Sequence, residues 1–313
     1  MENFRLKVFR VVAAHMNFSR AAEELLLTQP AVTQQIKALE EEYGVPLFDR
    51  TGGRIALSPG GKALLPFAWK LKEISDEARI AVANAAGTLA GQLAVGASQT
   101  IGQYLLPALL ADFLRAHPRI VVSAISRNTN EILEALTGRR IDLALIEGPA
   151  LRNDVHVESF MEDRMVLVVP ASHEWAEQEI DTAALKGSPL LMREFGSGSR
   201  RVVEQALADT GVARKELTVR MELDSTEGLM SAVEAGLGVA FVSQWAARNH
   251  LELGTVKLAQ VRGLKMTRMF SIAWVAGPEP TGVAGAFRAL LLERGRAAGK
   301  KAQRSRKNGL NVQ

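Results

Sequence analysis

The 313-residue sequence predicts a multidomain protein: a small helical head with a short β-hairpin, one long helix, and an α/β region of two Rossmann-like subdomains. Three observations carry this reading. Short helical signals separated by turn residues fill positions 1–58. An apolar heptad then runs from Pro59 to about Ala86. Beyond Gly87, strand-like and helix-like segments alternate for about 200 residues, more than one small sheet needs. At roughly 100–200 residues per domain, the length alone suggests two or three globular units. With 47% hydrophobic residues the chain has ample material for their cores.

Element by element, Leu6, Phe9, Val12 and Ala13 repeat at helical spacing and predict a first helix over Phe4–His15. Ser19 reads as the N-cap of a second helix, Arg20–Leu26, and Thr28 as the cap of a third. Pro30 falls in the third helix's first turn, where a missing N–H costs nothing, and Gly44 and Pro46 stop it after Tyr43. Leu47–Ser58 reads as a hairpin around Gly52-Gly53. In the long helix, Leu64, Leu71, Ala78 and Ala85 recur every seven residues with Phe67, Ile74 and Ala81 between them. Such a stripe, about 40 Å long, has little nearby to bury it, so a second copy of the chain is the expected partner.

Strands are expected at Gln92–Ala97, Ile120–Ile125, Asp142–Glu147, Met165–Pro170, Leu190–Arg193, Thr218–Leu223, Gly238–Ser243 and Met269–Val275. Helices are expected at Gln103–Ala116, Asn130–Gly138, Arg200–Thr210, Glu227–Ala235 and Gly282–Arg294. The alternation implies mostly parallel sheets. The effector-type region is placed at 89–295. One subdomain takes about 89–162 and 268–295, the other about 163–267.

Composition removes several function classes. With no cysteine there are no disulfides, thiolate metal sites or cysteine nucleophiles. No run of about 18 uninterrupted apolar residues is present, so no membrane-spanning helix is expected. Met1–Ala14 carries Glu2, Arg5, Lys7 and Arg10, which makes it an amphipathic helix rather than a signal peptide. The expectation is a cytoplasmic protein with no membrane association. The net charge of +4 is misleading. Arg294–Gln313 holds seven basic residues and no acid, so the preceding 293 residues carry −3, and residues 1–58 balance seven bases with seven acids. Residues 296–313 read as a basic, disordered tail. Any nucleic-acid function has to rest on local arrangement.

That arrangement is found in the third helix. Val32, Ile36 and Leu39 form its buried stripe. Pro30, Gln34 and Lys37 lie on the opposite face, with Thr33 beside it and Gln29 at the start. Gln can pair with an adenine edge, Thr can bond a base or touch a thymine methyl, and Lys suits guanine or phosphate. Two helices with a tight turn, followed by a hairpin bearing Arg50 and Arg54, match a winged helix-turn-helix whose arginines reach the DNA backbone or minor groove. The candidate DNA-binding residues are Ser19, Thr28, Gln29, Pro30, Thr33, Gln34, Lys37, Arg50 and Arg54.

Ala21-Ala22-Glu23-Glu24-Leu25, Leu27 through Ile36, Leu39-Glu40, Gly44 through Arg50, and Leu57 through Gly61 together resemble the LysR-type transcriptional regulators, with the layout extending the likeness to about residue 295. Many members have Ser-Arg where this chain has Thr33-Gln34, so an arginine contact at 34 is unavailable and Gln34 can read a different base. The resemblance implies a double-stranded DNA operator, a homodimer or homotetramer, and a small coinducer held between two periplasmic-binding-protein-like subdomains. Thr100 through Pro107 and the Ser197–Arg200 loop look like those of regulators of inorganic sulfur or carbon assimilation.

In the α/β region, hydroxyl- and amide-rich loops open helices at Ser98-Gln99-Thr100, Asn128-Thr129, Ser197-Gly198-Ser199-Arg200 and Ser225-Thr226. Each places donors at a helix N-terminus, at the carboxyl ends of strands. The candidate ligand set is Ser98, Gln99, Thr100, Asn128, Thr129, Glu147, Ser197, Ser199, Arg200 and Thr226. Arg200 is the only formal positive charge among these loops, so the expected effector is a carboxylate or inorganic oxyanion.

No cofactor or metal site is expected: the five histidines are scattered and none has a metal-ligand spacing. Gly196-Ser197-Gly198 lacks the third glycine of a dinucleotide loop, and no nucleophile elbow is present. An uptake-type binding protein would need export signals the sequence does not display. An enzyme with a DNA-binding head would need an acid–base pair in the cleft.

Overall fold

The computed structural model describes residues 3–51, 54–85, 89–148 and 152–308, and it divides into two units, Met1–Ala90 and Gly91–Gln313. In the first unit, α1 (Phe4–His15), α2 (Phe18–Leu25) and α3 (Gln29–Tyr43) enclose Leu6, Phe9, Val12, Ala21, Val32, Ile36 and Leu39, all buried. The Phe9 and Phe18 rings pack on Phe48 at 5.5 and 5.8 Å. Thr28 caps α3, its Oγ1 accepting from the Ala31 N–H at 3.4 Å, and Gly44 ends it at φ 70°.

The α2 cap differs from the expectation. Asn17 is the N-cap, and its Oδ1 accepts from the N–H groups of both Ser19 and Arg20. Ser19 therefore lies inside the helix. The strands β1 (Phe48–Thr51) and β2 (Arg54–Leu57) pair antiparallel, Phe48 opposite Leu57. Glu40 Oε1 accepts from the N–H of Leu47 at 2.8 Å and of Phe48 at 3.3 Å, which ties this hairpin to α3. The Gly52-Gly53 tip and the side chains of Arg50 and Arg54 lie outside the described residues.

The helix α4 (Pro59–Ala85) is continuous. Gly61 sits against the Leu47 carbonyl, where any Cβ would clash, so the helix can pack closely on the head. Leu64, expected on the outer heptad stripe, instead packs with Leu65 and Ala68 onto the head's core. The open stripe begins one turn later, with Phe67, Leu71, Ile74 and Val82 exposed by 62, 48, 60 and 72%.

The second unit opens with β3 (Ala90–Ser98), α5 (Gln99–Tyr104), α6 (Leu106–Ala116), β4 (Arg119–Arg127), α7 (Thr129–Thr137), β5 (Leu143–Glu147) and β6 (Val155–Pro170). The single helix expected over 103–116 is broken because Pro107 lacks an N–H and clashes with a continuing turn, so it starts a new helix instead. Next come β7 (Glu179–Ile180), β8 (Pro189–Arg193), α8 (Gly198–Asp209), β9 (Thr218–Leu223), α9 (Thr226–Glu234), β10 (Val239–Ser243), α10 (Gln244–Leu253) and β11 (Val256–Val261). The chain then crosses back through β12 (Met266–Val275) into α11 (Gly282–Asn308). Residues 296–308, expected to be disordered, are helical: Ala, Lys, Arg and Gln are good helix formers continuing an established helix.

The sheet runs β4-β3-β5-β12-β6-β10-β8-β9, with β11 also on β6 and β7 on β11. It is mixed rather than mostly parallel. β3 runs parallel to β5, and β8 to both β9 and β10, but β6 and β12 are antiparallel to each other and to their neighbours. These two are the crossing strands. The early part of β6 pairs with β12 in the first subdomain, and its last residues pair with β10 and β11 in the second. Every residue of β5 and β10 is buried, the mark of strands covered on both faces.

Candidate functional site

Two sites emerge, one in each unit. On the head, Thr28, Gln29, Pro30, Gln34 and Lys37 are exposed and Thr33 is half-buried. Burying Val32, Ile36 and Leu39 leaves that face to solvent. The Ser19 hydroxyl donates to Gln29 Oε1 at 3.2 Å, which orients an amide at the helix start. Thr33 Oγ1 donates back to the Gln29 carbonyl at 3.0 Å. Lys37 lies 3.8 Å from Glu41, an exposed pair of little energetic weight that leaves the ammonium available.

In the second unit the loop after β3 meets that after β9, and the loop after β4 meets that after β8. On one side, Gln99 Nε2 donates to the Asp224 carbonyl at 2.5 Å, and its Oε1 accepts from the Thr226 N–H at 3.1 Å. The Tyr104 hydroxyl donates to Glu227 at 2.5 Å. Burial and, after it, that carboxylate raise the tyrosine's pKa, so it stays a donor. Thr226 also accepts from Arg193 Nη1 at 2.7 Å.

On the other side, Gly198 is packed where a Cβ would strike the Glu147 carbonyl and Thr129 Oγ1. Asn128 caps α7 in a reciprocal capping box with Glu131, and Ser197 caps α8. The Ser199 hydroxyl donates to Glu147 Oε1 at 3.1 Å and accepts from Arg268 Nη1 at 2.8 Å. Arg268 also pairs with Glu147 at 3.0 Å and Asp163 at 2.8 Å, all three side chains being nearly inaccessible. Ser243 donates to Asp163 at 2.8 Å. Burial raises the Asp163 pKa despite Arg268 and that hydroxyl.

The structure thus brings Asn128, Thr129, Glu147, Ser197 and Ser199 together, and Gln99 with Thr226. Ser98 and Thr100 are buried at the end of β3 and the start of α5. Arg200 has a different role. Its Nε donates to Glu204, its Nη1 pairs with Glu222, both at 2.8 Å, and its guanidinium stacks on Phe195 at 3.8 Å. Its charge is spent on two carboxylates, and in return it lowers the pKa of Glu222.

The next residue is the open cation. Arg201 Nη1 donates to Asn130 Oδ1 at 3.0 Å, while its Nε and Nη2 are buried without a hydrogen-bond partner. Buried Ser98 Oγ and Thr129 Oγ1 are likewise unpartnered. Burial lowers the Arg201 pKa and Glu147 opposes that shift. Sequence reasoning missed Arg193, Arg201, Asp163 and Arg268. For Arg268, an isolated charge inside an otherwise apolar strand was the available signal; Asp163, between Glu162 and Arg164, offered none.

Among the described residues no helix is long and apolar enough to cross a membrane. Comparison with known proteins extends the geometry. Residues 4–62 match the model of the bacterial regulatory helix-turn-helix protein, lysR family, and residues 86–296 match the LysR substrate binding domain. A relative from Phaeodactylum tricornutum described as a probable RuBisCO transcriptional regulator is 33% identical over 272 residues, 86% of this chain and 89% of its own. A variant of full-length OxyR from Pseudomonas aeruginosa superposes with a TM-score of 0.68 at 27% identity, covering 93% of each chain. The regulatory domain of CcmR from Synechocystis, solved with 2-PG, superposes at 0.60 with 24% identity, over 65% of this chain and 96% of its own. With a DNA-reading head and an effector-binding α/β unit both matched, this chain belongs to the LysR family of transcriptional regulators, which bind DNA and answer to a small-molecule coinducer.

Proposed function

We propose that the coinducer is a small anion bound between the two subdomains and that Arg201, rather than Arg200, supplies its counter-charge. The observation that carries this is the set of buried donors without partners: Ser98 Oγ, Thr129 Oγ1 and two N–H groups of Arg201. Buried polar groups are costly when unpaired, and a bound oxyanion repays that cost. Ser98 and Thr129 stand at the ends of neighbouring strands β3 and β4, and Arg201 lies in the first turns of α8, so donors from both subdomains serve one ligand. The N-termini of α7 and α8 add favourable dipoles. The relatives described as RuBisCO regulators and the 2-PG complex of CcmR support a small-molecule coinducer.

Thermal-shift titration of the full chain with inorganic phosphate, sulfate and 2-PG tests this. At a hundredfold excess over Kd a ligand stabilises by about 2.7 kcal/mol, a clear rise in Tm. Arg201→Gln should weaken the active anion by tenfold or more, since charge-assisted hydrogen bonds are worth about 1.5–3 kcal/mol. Equal affinity in wild type and variant refutes the assignment.

On the DNA side, Gln29, Thr33 and Gln34 read base edges, Ser19, Thr28 and Pro30 set the helix start, and Lys37, Arg50 and Arg54 contact phosphates. Gln34→Ala should lower the ratio of specific to non-specific binding, each lost base contact costing on the order of 1–3 kcal/mol. An unchanged ratio in a competition binding assay would show that the proposed face is turned away from the bases. The open stripe of α4 pairs with a second copy, which presents two heads to a pseudo-palindromic operator, and two such dimers form a tetramer.

A further inference from the structure

The last helix leaves the body of its unit at a definite point. Val283, Phe287 and Leu291 are buried at helical spacing, with Phe287 against Phe113 at 5.0 Å. Gly295 is packed too, lying against the Phe160 carbonyl where no Cβ fits. From there the helix continues to Asn308, and residues 296–299 are all exposed. The segment 296–308 carries Arg296, Lys300, Lys301, Arg304, Arg306 and Lys307, and no acid follows Glu293 in the sequence.

Three exposed helical bases elsewhere are balanced within one turn. Lys37 has Glu41, Arg115 has Asp112 and Arg248 has Glu252. In 296–308 the i, i+4 neighbours are like charges instead. At about 100° per residue, positions 296, 300, 304 and 307 share one face within roughly 80°. The like-charged i, i+4 pairs Arg296/Lys300 and Lys300/Arg304 each cost a few tenths of a kcal/mol, a cost that a neighbouring polyanion relieves. Residues 1–293 sum to only −3, and Arg294 is already paired with Asp112.

We propose that residues 296–308 form a second, sequence-independent DNA contact, lying along the phosphate backbone of duplex outside the bases read by α3. Duplex DNA carries one charge per ~1.7 Å of axis, dense enough to engage a four-base stripe spanning only three turns. Such a contact raises affinity and on-rate without altering which sequence is preferred.

The test is the salt dependence of full-chain binding to a random-sequence duplex of roughly 60 base pairs, compared with a variant carrying Arg296→Gln, Lys300→Gln, Arg304→Gln and Lys307→Gln. Each phosphate contact contributes about 0.9 to the slope of log K against log salt. The variant should therefore lose at least about two units of slope and bind roughly tenfold or more weakly at 0.1 M salt. A charge-preserving variant with Arg and Lys exchanged at the four positions should keep the wild-type slope. An unchanged Tm confirms that folding is intact. Identical slopes in wild type and Gln variant overturn the proposal and assign the helix to another polyanion, such as an acidic protein surface.

Discussion

Arg200 and Arg201 are adjacent, identical in type, and opposite in consequence. A helix turns about 100° per residue, so one guanidinium reaches Glu204 and Glu222 while the next faces Asn130 across the cleft. The loop Ser197–Arg200 could be picked out from composition, but which arginine was free depended on Glu222, a residue on another strand. Asp163 and Arg268 were hidden for the same reason: they stand opposite each other in the register of β6 and β12, 105 positions apart. Their environment makes a pH prediction. Because burial raises the Asp163 pKa, the folded state favours the proton, so this residue's contribution to stability is fullest below the ordinary aspartate value near 4 and is lost as pH rises through the raised value. Asp163→Asn removes the titration. The Tm of the variant relative to wild type should climb as pH rises from about 4, and parallel Tm–pH curves would contradict the assignment.

Helices with complete local signals were readable from the sequence. α1 has the expected limits, and α3 has its Thr28 cap, Pro30 start and Gly44 stop. Elements whose identity depends on partners were not. The first half of β6 carries alternating charges and is a strand because β12 pairs with it, and α10 was missed although Ser243 caps its start and Gly254 its end. The long helix was visible by its heptad, yet Leu64 was misassigned to the outer stripe, because its contact with the head is tertiary. On the corrected stripe, Leu71→Asp puts a carboxylate among Phe67, Ile74 and their counterparts in a second copy, where an unpaired charge is strongly unfavourable. Sedimentation should show wild-type chain as dimer or larger and the variant shifted toward monomer. A wild type that stays monomeric at high concentration would leave the stripe without its partner.

At the scale of the whole α/β unit, β6 and β12 belong to both subdomains at once. They pair from Met165 opposite Met266 to Val155 opposite Val275, and β5 and β10 lean on their two outer edges. Neither subdomain can melt without stripping a central strand from the other, and the Glu147–Arg268–Asp163 cluster ties the same junction electrostatically. The consequence is thermodynamic. The two halves share their central strands and so form a single cooperative folding unit. Differential scanning calorimetry of the full chain should therefore give one transition for this unit, with calorimetric and van't Hoff enthalpies in agreement, while the head is free to melt separately. Two resolved transitions within the α/β unit would mean that the crossing strands serve as a tether, each half then holding its own strands independently of the other.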